Sequence, residues 1–172
     1  DCEIDGERFQ LLFIARRSRN RQGTRFTRRG IDSQGNTANF VETEQILIFP
    51  NGKMTSYVQI RGSIPVLWSS PVHCKYDPKV NIDSSMSKSI EFATNHVKRT
   101  LDLYADYAGR SALSCINLID NKPKKDQGKL GMAFKKVMDG VKSRLAPPQA
   151  NKVKYTWWDF HAETKKSGKW AN

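Results

Sequence analysis

The stretch that decides the fold runs from Phe40 to Arg61 and reads FVETEQILIFPNGKMTSYVQIR. The segment Phe40–Ile48 predicts a strand, in which Phe40, Glu42, Glu44, Ile46 and Ile48 alternate with Val41, Thr43, Gln45 and Leu47. Asn51-Gly52 follows as a hairpin signal, and Met54–Arg61 has the composition of a return strand. The sequence therefore predicts an antiparallel pair.

Upstream of this pair, Phe9–Ala15 is a compact apolar run that predicts a buried strand. Arg16–Gly30 then holds seven arginines in fifteen residues, with too little apolar periodicity for a packed helix, and predicts a loop. Closely spaced guanidinium groups repel one another unless something anionic lies among them. The loop is therefore either a solvated basic segment or a site for an anion.

Downstream, apolar residues from Ile90 to Ala108 recur at helical spacing, and the serines at positions 84, 85 and 87 offer N-caps. The remaining predicted elements are a buried strand, a second helix that ends before Pro147-Pro148, and a last strand, at Ala112–Ile119, Leu130–Leu145 and Val153–Trp158. The predicted fold class is α/β, with a mixed sheet in which an antiparallel hairpin is followed by helix, strand, helix and strand. The length of 172 residues predicts one domain, with no second domain.

Charge and composition narrow the function classes. Lys and Arg number 29 against 17 Asp and Glu, which gives a net charge of +12 and favours an anionic partner: phosphate, nucleic acid or an acidic membrane. No apolar run approaches the roughly 18 residues of a membrane-spanning helix, and no segment resembles a secretory leader. Cys2, Cys74 and Cys115 are odd in number and widely spaced, so we expect no zinc site or disulfide framework and a reducing, cytosol-facing setting.

Two groups of polar residues are candidates for chemistry. Glu42 and Glu44 share one face of a strand about 7 Å apart, either as ion-pair partners of Arg25 or Arg29, which we favour, or as a hydrolytic acid and base pair. Asp159 and His161 follow the last strand, at the kind of sheet edge where ligands bind.

These and other polar residues also have structural readings. Asp159 is alternatively a helix cap and His161 a hydrogen-bonded structural histidine. His73 and His96 are weaker candidates, and His96 is expected to be a packed histidine. Cys115 is expected to be an inert thiol inside a strand.

Several motifs together resemble the Sac-domain phosphoinositide phosphatases. They are RRSRNRQGTRF at 16–26, RRG at 28–30, ANFVETEQ at 38–45, RGSIP at 61–65 with Trp68, Asn117-Leu118, and Asp159-Phe160-His161. The resemblance follows the same order and covers essentially the whole chain. It implies that residues 1–172 are the first half of a Sac catalytic subdomain.

The resemblance implies hydrolysis of an inositol-ring monophosphate on a membrane phosphoinositide, through a cysteine nucleophile that becomes phosphorylated. By family position, Arg25, Arg29 and Arg61 are expected to support the pocket or a basic membrane-facing surface. Asn39, Glu42 and Glu44 are expected to hold these arginines in place. Asp159 and His161 are possible auxiliary catalytic residues near the leaving inositol oxygen, with Asp159 as a candidate general acid.

The family's nucleophile loop reads Cys-x-Asp-Cys-Leu-Asp-Arg followed by Thr or Ser. Cys2 and Arg8 match only its outer spacing, in CEIDGER, and precede the Arg-Arg-Ser motif, whereas the family's loop lies well after Asp-Phe-His. We interpret the match as accidental. The resemblance places the true loop beyond Asn172, so the isolated chain is expected to be inactive and, with apolar surface uncovered, poorly soluble or molten.

The expected partners are a phosphoinositide in an anionic membrane and the remainder of the Sac domain. No cofactor is expected, and the sequence does not decide whether a divalent metal is required. The expected location is the cytoplasmic face of endoplasmic reticulum, Golgi, endosomal or vacuolar membranes, peripheral or anchored outside this segment. A Sac-like lipid-binding scaffold without activity is the alternative, and a basic nucleic-acid-binding module with Tyr155, Trp157 and Trp158 for base stacking is a remote one.

Overall fold

The computed structural model describes residues 1–24, 26–72, 79–106 and 108–166. Its strands are β1 Cys2–Ile4, β2 Glu7–Arg17, β3 Val41–Ile48, β4 Met54–Arg61, β5 Trp68–Ser69, β6 Asn81–Ile82, β7 Leu113–Asn117 and β8 Val153–Trp157. Its helices are α1 Met86–Leu103, α2 Asp126–Arg144, α3 Pro147–Ala150 and α4 Phe160–Lys166. The predicted α/β class and the predicted order of hairpin, helix, strand, helix and strand are confirmed.

Strands β1 to β4 form one antiparallel sheet in chain order. The Asn51-Gly52 turn joins β3 to β4, with Gly52 at a φ of 80°, as the hairpin signal predicts. A second hairpin, β1 to β2, turns at Asp5-Gly6, where φ is 51° and 81°. The Asp-Gly dipeptide is itself a sequence signal for such a turn.

The prediction that Phe9–Ala15 is a buried strand is right about the strand and wrong about its burial. Strand β2 is longer than predicted, and Phe9 is its one buried residue. The side chains of Leu11, Leu12 and Phe13 are 47%, 46% and 60% exposed. Strand β4, on the other side of β3 in the same sheet, is likewise exposed along most of its length.

Most of the core lies in the other half of the chain, and Ile31 and Val66 from the segments that flank the hairpin join it. Helices α1 and α2 pack on each other through apolar faces that include Val97, Leu101, Val137 and Val141, each at most 4% exposed. Strands β7 and β8 pair in parallel, with Leu113 opposite Val153, and α2 crosses over between them. In the described part of the chain this parallel pair forms a sheet of its own, separate from the antiparallel sheet.

Candidate functional site

The arginine loop, residues 16–30, is organised by the side chain of Asn39. The Asn39 Oδ1 accepts a hydrogen bond from Arg17 Nη2 at 2.8 Å, and its Nδ2 donates to the Arg28 carbonyl at 3.2 Å. Asn39 itself takes the left-handed conformation, with φ at 56°, which asparagine tolerates better than most residues. The predicted positioning role of Asn39 therefore has a structural basis, although the side chain it holds is Arg17.

Arginines inside the loop also hold its backbone together. Arg21 Nη2 donates to the Arg29 carbonyl at 2.8 Å, and Arg17 Nη2 donates to the Gly23 carbonyl. Arg29 lies over the Trp68 ring, with its guanidinium carbon 5.3 Å from the ring centroid, a cation–π geometry. Much of the loop's positive charge is thus used to fix its own shape.

Gly30 marks where the loop meets the rest of the chain. Its φ is 69°, and a Cβ at this position would lie 2.6 Å from the Val66 carbonyl oxygen, so no larger residue fits. The Gly30 amide donates to Ser63 Oγ at 2.8 Å, and the Ser63 amide donates to the Ala38 carbonyl at 2.9 Å. The RRG, ANF and RGSIP segments are therefore one hydrogen-bonded unit.

Three arginines remain available at this end of the sheet. The guanidinium groups of Arg19, Arg28 and Arg61 are exposed and make no hydrogen bond or ion pair with any part of the chain that the structure describes. Val41 on β3 pairs with Arg17 on β2 and with Arg61 on β4, so the two arginines lie on the same face of the sheet. Among the predicted arginines, Arg61 is in this available group, Arg29 stacks on Trp68, and Arg25 lies outside the described residues.

Glu42 and Glu44 share a face of β3, as predicted, and they bind Arg16. Arg16 Nη1 lies 2.6 Å from Glu42 Oε1 and 3.0 Å from Glu44 Oε2. Ser56 Oγ donates to Glu44 at 2.7 Å, and this bond, followed by the contact with Arg16, lowers the pKa of the Glu44 carboxyl. The second oxygen of Glu42 accepts a hydrogen bond from Tyr104 Oη at 2.5 Å.

These contacts favour the ion-pair interpretation of the two glutamates and not the hydrolytic one. Burial, followed by the bond to Glu42, raises the pKa of Tyr104 well above its usual value, so the phenol stays protonated and continues to donate. Tyr104 directly follows α1, and the glutamates therefore tie the end of this helix to the sheet. Sequence spacing placed the two glutamates on one face, but Arg16 and Tyr104 as their partners were missed.

The predicted packed state of His96 is confirmed. Its Nδ1 lies 3.0 Å from the Gly35 carbonyl, and its ring meets Phe40 edge to face at 5.6 Å. Burial lowers the pKa of His96 to about 4. Arg99 Nη2 donates to the same Gly35 carbonyl at 2.8 Å, so α1 holds the turn at 32–36 that leads from the arginine loop into Asn39.

Asp159 and His161 lie where β7 and β8 end, as predicted, and they are joined there by Asp120 and Lys122. His161 Nδ1 lies 2.6 Å from Asp120 Oδ1, and Lys122 Nζ lies 2.9 Å from Asp120 Oδ2. Asp159 accepts the Asn121 amide at 2.7 Å and the Ala162 amide at 2.9 Å. We call Asp120, Lys122, Asp159 and His161 the carboxyl-edge cluster.

The cysteines offer no nucleophile with an arginine beside it in the described residues. Cys2 pairs with Phe9 and Arg8 with Glu3 across the β1–β2 hairpin, so Cys2 and Arg8 point to opposite faces. Arg8 is moreover bound to Glu3 at 3.1 Å. Burial raises the pKa of the Cys115 thiol to about 11 and so disfavours its thiolate, while Cys74 and His73 lie outside the described residues.

Across the described ranges, no three His, Cys, Asp or Glu side chains come together in a group able to hold a metal ion. Among the helices that the structure describes, none has the length and apolar character needed to cross a bilayer.

Comparison with known proteins gives a consistent result. Residues 1–165 match the SacI homology domain family. The phosphatidylinositol-3-phosphatase SAC1-A of Danio rerio is 37% identical over 165 residues, which cover 96% of this chain and 25% of that protein. The phosphatidylinositide phosphatase SAC2 of Homo sapiens is 41% identical over 113 residues, 66% of this chain and 9% of that protein.

The phosphatidylinositol-3-phosphatase SAC1 of Saccharomyces cerevisiae is 32% identical over 171 residues, again 96% of this chain and 25% of that protein. The chain thus spans about a quarter or less of the length of these curated relatives. The match of nearly all 172 residues, together with the hydrogen-bonded unit that the matching motifs build, places the chain in the SacI homology domain family.

Proposed function

We propose that this chain acts as part of a phosphoinositide phosphatase, which hydrolyses an inositol-ring monophosphate of a membrane phosphatidylinositol phosphate. The observation that carries the proposal is the family match, whose basic motifs expose Arg19 and Arg28 on the arginine loop and Arg61 at the end of β4. Free, exposed guanidinium groups suit phosphate oxygens and anionic headgroups because they donate several hydrogen bonds in fixed geometry.

The proposed mechanism uses a cysteine thiolate from the family's nucleophile loop. The thiolate attacks phosphorus in line, and positively charged donors stabilise the charge that spreads over the equatorial oxygens. Residues 1–172 contain no match to that loop beyond the accidental spacing of Cys2 and Arg8. We therefore propose that the chain supplies the surroundings of the site and is inactive when alone.

The remainder of a Sac domain is the proposed cover for the antiparallel sheet. The exposed apolar side chains of β2 and β4, among them Phe13 and Tyr57 at 60% and 62%, form a surface that isolated domains seldom leave open. Relatives three or more times as long provide ample chain to cover it. The proposed location is the cytoplasmic face of endoplasmic reticulum, Golgi, endosomal or vacuolar membranes, which the net charge of +12 supports.

The test is phosphate release by the full-length protein that carries residues 1–172, on vesicles that each contain one monophosphorylated phosphoinositide. Release from at least one of these lipids is expected. Arg28→Ala and Arg61→Ala should each weaken vesicle binding about fivefold, since one basic residue near an anionic leaflet contributes about 1 kcal/mol. The matched control is Arg8→Ala, because Arg8 is exposed but paired with Glu3 on the distant hairpin.

Two outcomes would replace this proposal. Vesicle binding without phosphate release would favour the Sac-like scaffold, which binds lipid but lacks activity. Tighter binding to single-stranded nucleic acid than to any vesicle would favour the remote alternative. Cys2→Ser should leave phosphate release unchanged, and loss of release in that variant would show that Cys2 is the nucleophile after all.

A further inference from the structure

The two carboxylates of the carboxyl-edge cluster differ in what they bind. Both oxygens of Asp159 accept backbone amides, from Asn121 and from Ala162. These two bonds lower the pKa of the Asp159 carboxyl, and they connect the loop after β7 to the first turn of α4. A carboxylate held in this way is a poor proton donor, so the structure argues against Asp159 as the general acid and favours its reading as a helix cap.

Asp120, by contrast, binds side chains. Its Oδ1 lies 2.6 Å from His161 Nδ1 and its Oδ2 lies 2.9 Å from Lys122 Nζ. The Asp120 side chain is 16% exposed, whereas that of His161 is 54% exposed. The bond to His161 is the main cause that lowers the pKa of Asp120, so the carboxylate is ionised and accepts the Nδ1 proton.

A carboxylate that accepts the Nδ1 proton fixes which ring nitrogen is left for chemistry. The other nitrogen, Nε2, has no hydrogen-bond partner among the residues that the structure describes. With Nδ1 bound to the carboxylate, Nε2 is the ring nitrogen that remains to exchange a proton with a substrate. The ring is half-exposed at the carboxyl end of a parallel strand pair, where α/β proteins bind their ligands.

We infer that Asp120 and His161 form a dyad in which His161 donates its Nε2 proton to the leaving inositol oxygen, with Asp120 as the positioning residue. The inference rests on the proposed phosphatase function. As the sulfur–phosphorus bond forms, the phosphorus–oxygen bond to inositol breaks, and its electron pair stays on the inositol oxygen, which takes the proton. When water then displaces the sulfur, the neutral His161 accepts the proton that the water loses.

Other charged groups lie in the same cluster or on the same helix. Lys122 shares the Asp120 carboxylate, and Asp159 lies in the same cluster, where its charge and that of Asp120 repel. Glu163 and Lys165 lie on α4 itself. Because several charged groups share this region, substitutions of Asp120 and His161 are needed to identify the group that donates the proton.

The experiment compares two substrates of the full-length protein, a phosphoinositide monophosphate and an aryl phosphate, from pH 5 to 9. An inositol alkoxide leaves poorly without a proton, whereas an aryl oxide leaves without one. His161→Gln should lower kcat/KM on the lipid about 10²-fold or more and change the aryl phosphate rate less than about threefold.

Asp120→Asn should lower kcat on the lipid by a smaller factor and leave KM unchanged. The matched control is Lys165→Gln, an exposed change on the same helix, which should alter neither rate. The aryl phosphate rate reports folding in each variant.

Several results would overturn the dyad. These are an equal loss on both substrates in His161→Gln, no loss on either, and a loss confined to the lipid in Asp159→Asn but absent in His161→Gln. A wild-type protein that hydrolyses neither substrate would reject the proposed function and the dyad together, whereas activity that is indifferent to His161 would reject the dyad alone.

Discussion

The two halves of the chain treat their apolar side chains in opposite ways. Helices α1 and α2 with β7 and β8 enclose a core whose members are nearly inaccessible, such as Val137 and Met138 at 0% and 1% exposed. The antiparallel sheet carries comparable apolar side chains, yet Phe13, Met54 and Tyr57 are each at least 60% exposed. The helical half therefore holds most of the core, which Ile31 and Val66 join from the preceding segment. The sheet carries a surface that further chain is proposed to cover.

The largest expected effect is a difference in unfolding free energy when the same substitution is made in both halves. Phe134→Ala removes a ring that is 6% exposed and packs against Tyr155 at 5.1 Å, and should lower the free energy of unfolding by about 3–5 kcal/mol. Phe13→Ala removes a ring that is 60% exposed, and should cost less than about 1 kcal/mol. Urea unfolding of residues 1–172 measures both if the transition is cooperative, and equal losses would then refute the difference between the halves. A non-cooperative transition would instead agree with the molten state expected for the isolated chain.

The pH dependence of the unfolding free energy reports on the turn at 32–36 that α1 holds. The pKa of His96 is about 4 in the folded chain and about 6.5 when unfolded. Between these values the unfolded chain binds more protons, so the free energy of unfolding falls as pH drops from 6.5 to 4, by up to about 3 kcal/mol.

Urea unfolding at several pH values measures this slope. His96→Gln should flatten it within that window, while the half-exposed His161, changed to Gln, serves as the control and should leave it in place. A slope that survives in His96→Gln would show that another group is responsible.

A smaller effect is expected where α2 approaches β8. A Cβ on Gly131 would lie 2.2 Å from Cζ2 of Trp157, whose Nε1 donates to the Ile119 carbonyl at 2.8 Å. Gly131→Ala should therefore displace the Trp157 ring and lower the free energy of unfolding by about 1–3 kcal/mol, despite the better helix propensity of alanine. Thermal unfolding with tryptophan fluorescence measures this, and Met132→Ala, at a 53% exposed site one residue further on, is the control.

The smallest expected effect tests the link between the halves. Tyr104→Phe removes the hydroxyl that donates to Glu42 and should cost about 1 kcal/mol, since the Glu42 oxygen then loses one partner. Tyr57→Phe is the matched control, because Tyr57 is 62% exposed on the open sheet. Denaturant titration of both variants measures the difference, and an equal change in both would show that the link carries no stability.

Local patterns predicted the elements well. Asn51-Gly52 fixed the hairpin, and the helical spacing of apolar residues located α1 and α2, because turn chemistry and periodicity are properties of a short stretch. The burial of Phe9–Ala15 failed because an apolar run is the same sequence whether or not something covers it. The expected poor solubility of the isolated chain stays a prediction. The exposed apolar side chains that would cause it lie in this sheet.

The candidate site was predicted in part for a similar reason. Spacing along one strand showed that Glu42 and Glu44 share a face, but their partner Arg16 lies 26 residues from Glu42, on another strand. Asp120 was missed because aspartates are ordinary in a polar loop such as residues 120–126. Its distance of 41 residues from His161 closes only when β7 and β8 pair in parallel.

The most direct test of the account is hydroxyl-radical footprinting of residues 1–172 alone and within the full-length protein. Phe13 and Tyr57 should be oxidised readily in the isolated chain and become protected several-fold in the full-length protein, whereas Phe134 and Met138 should be protected in both. Equal oxidation of Phe13 and Tyr57 in the two samples would contradict the account, because the sheet would then remain open when the rest of the chain is present.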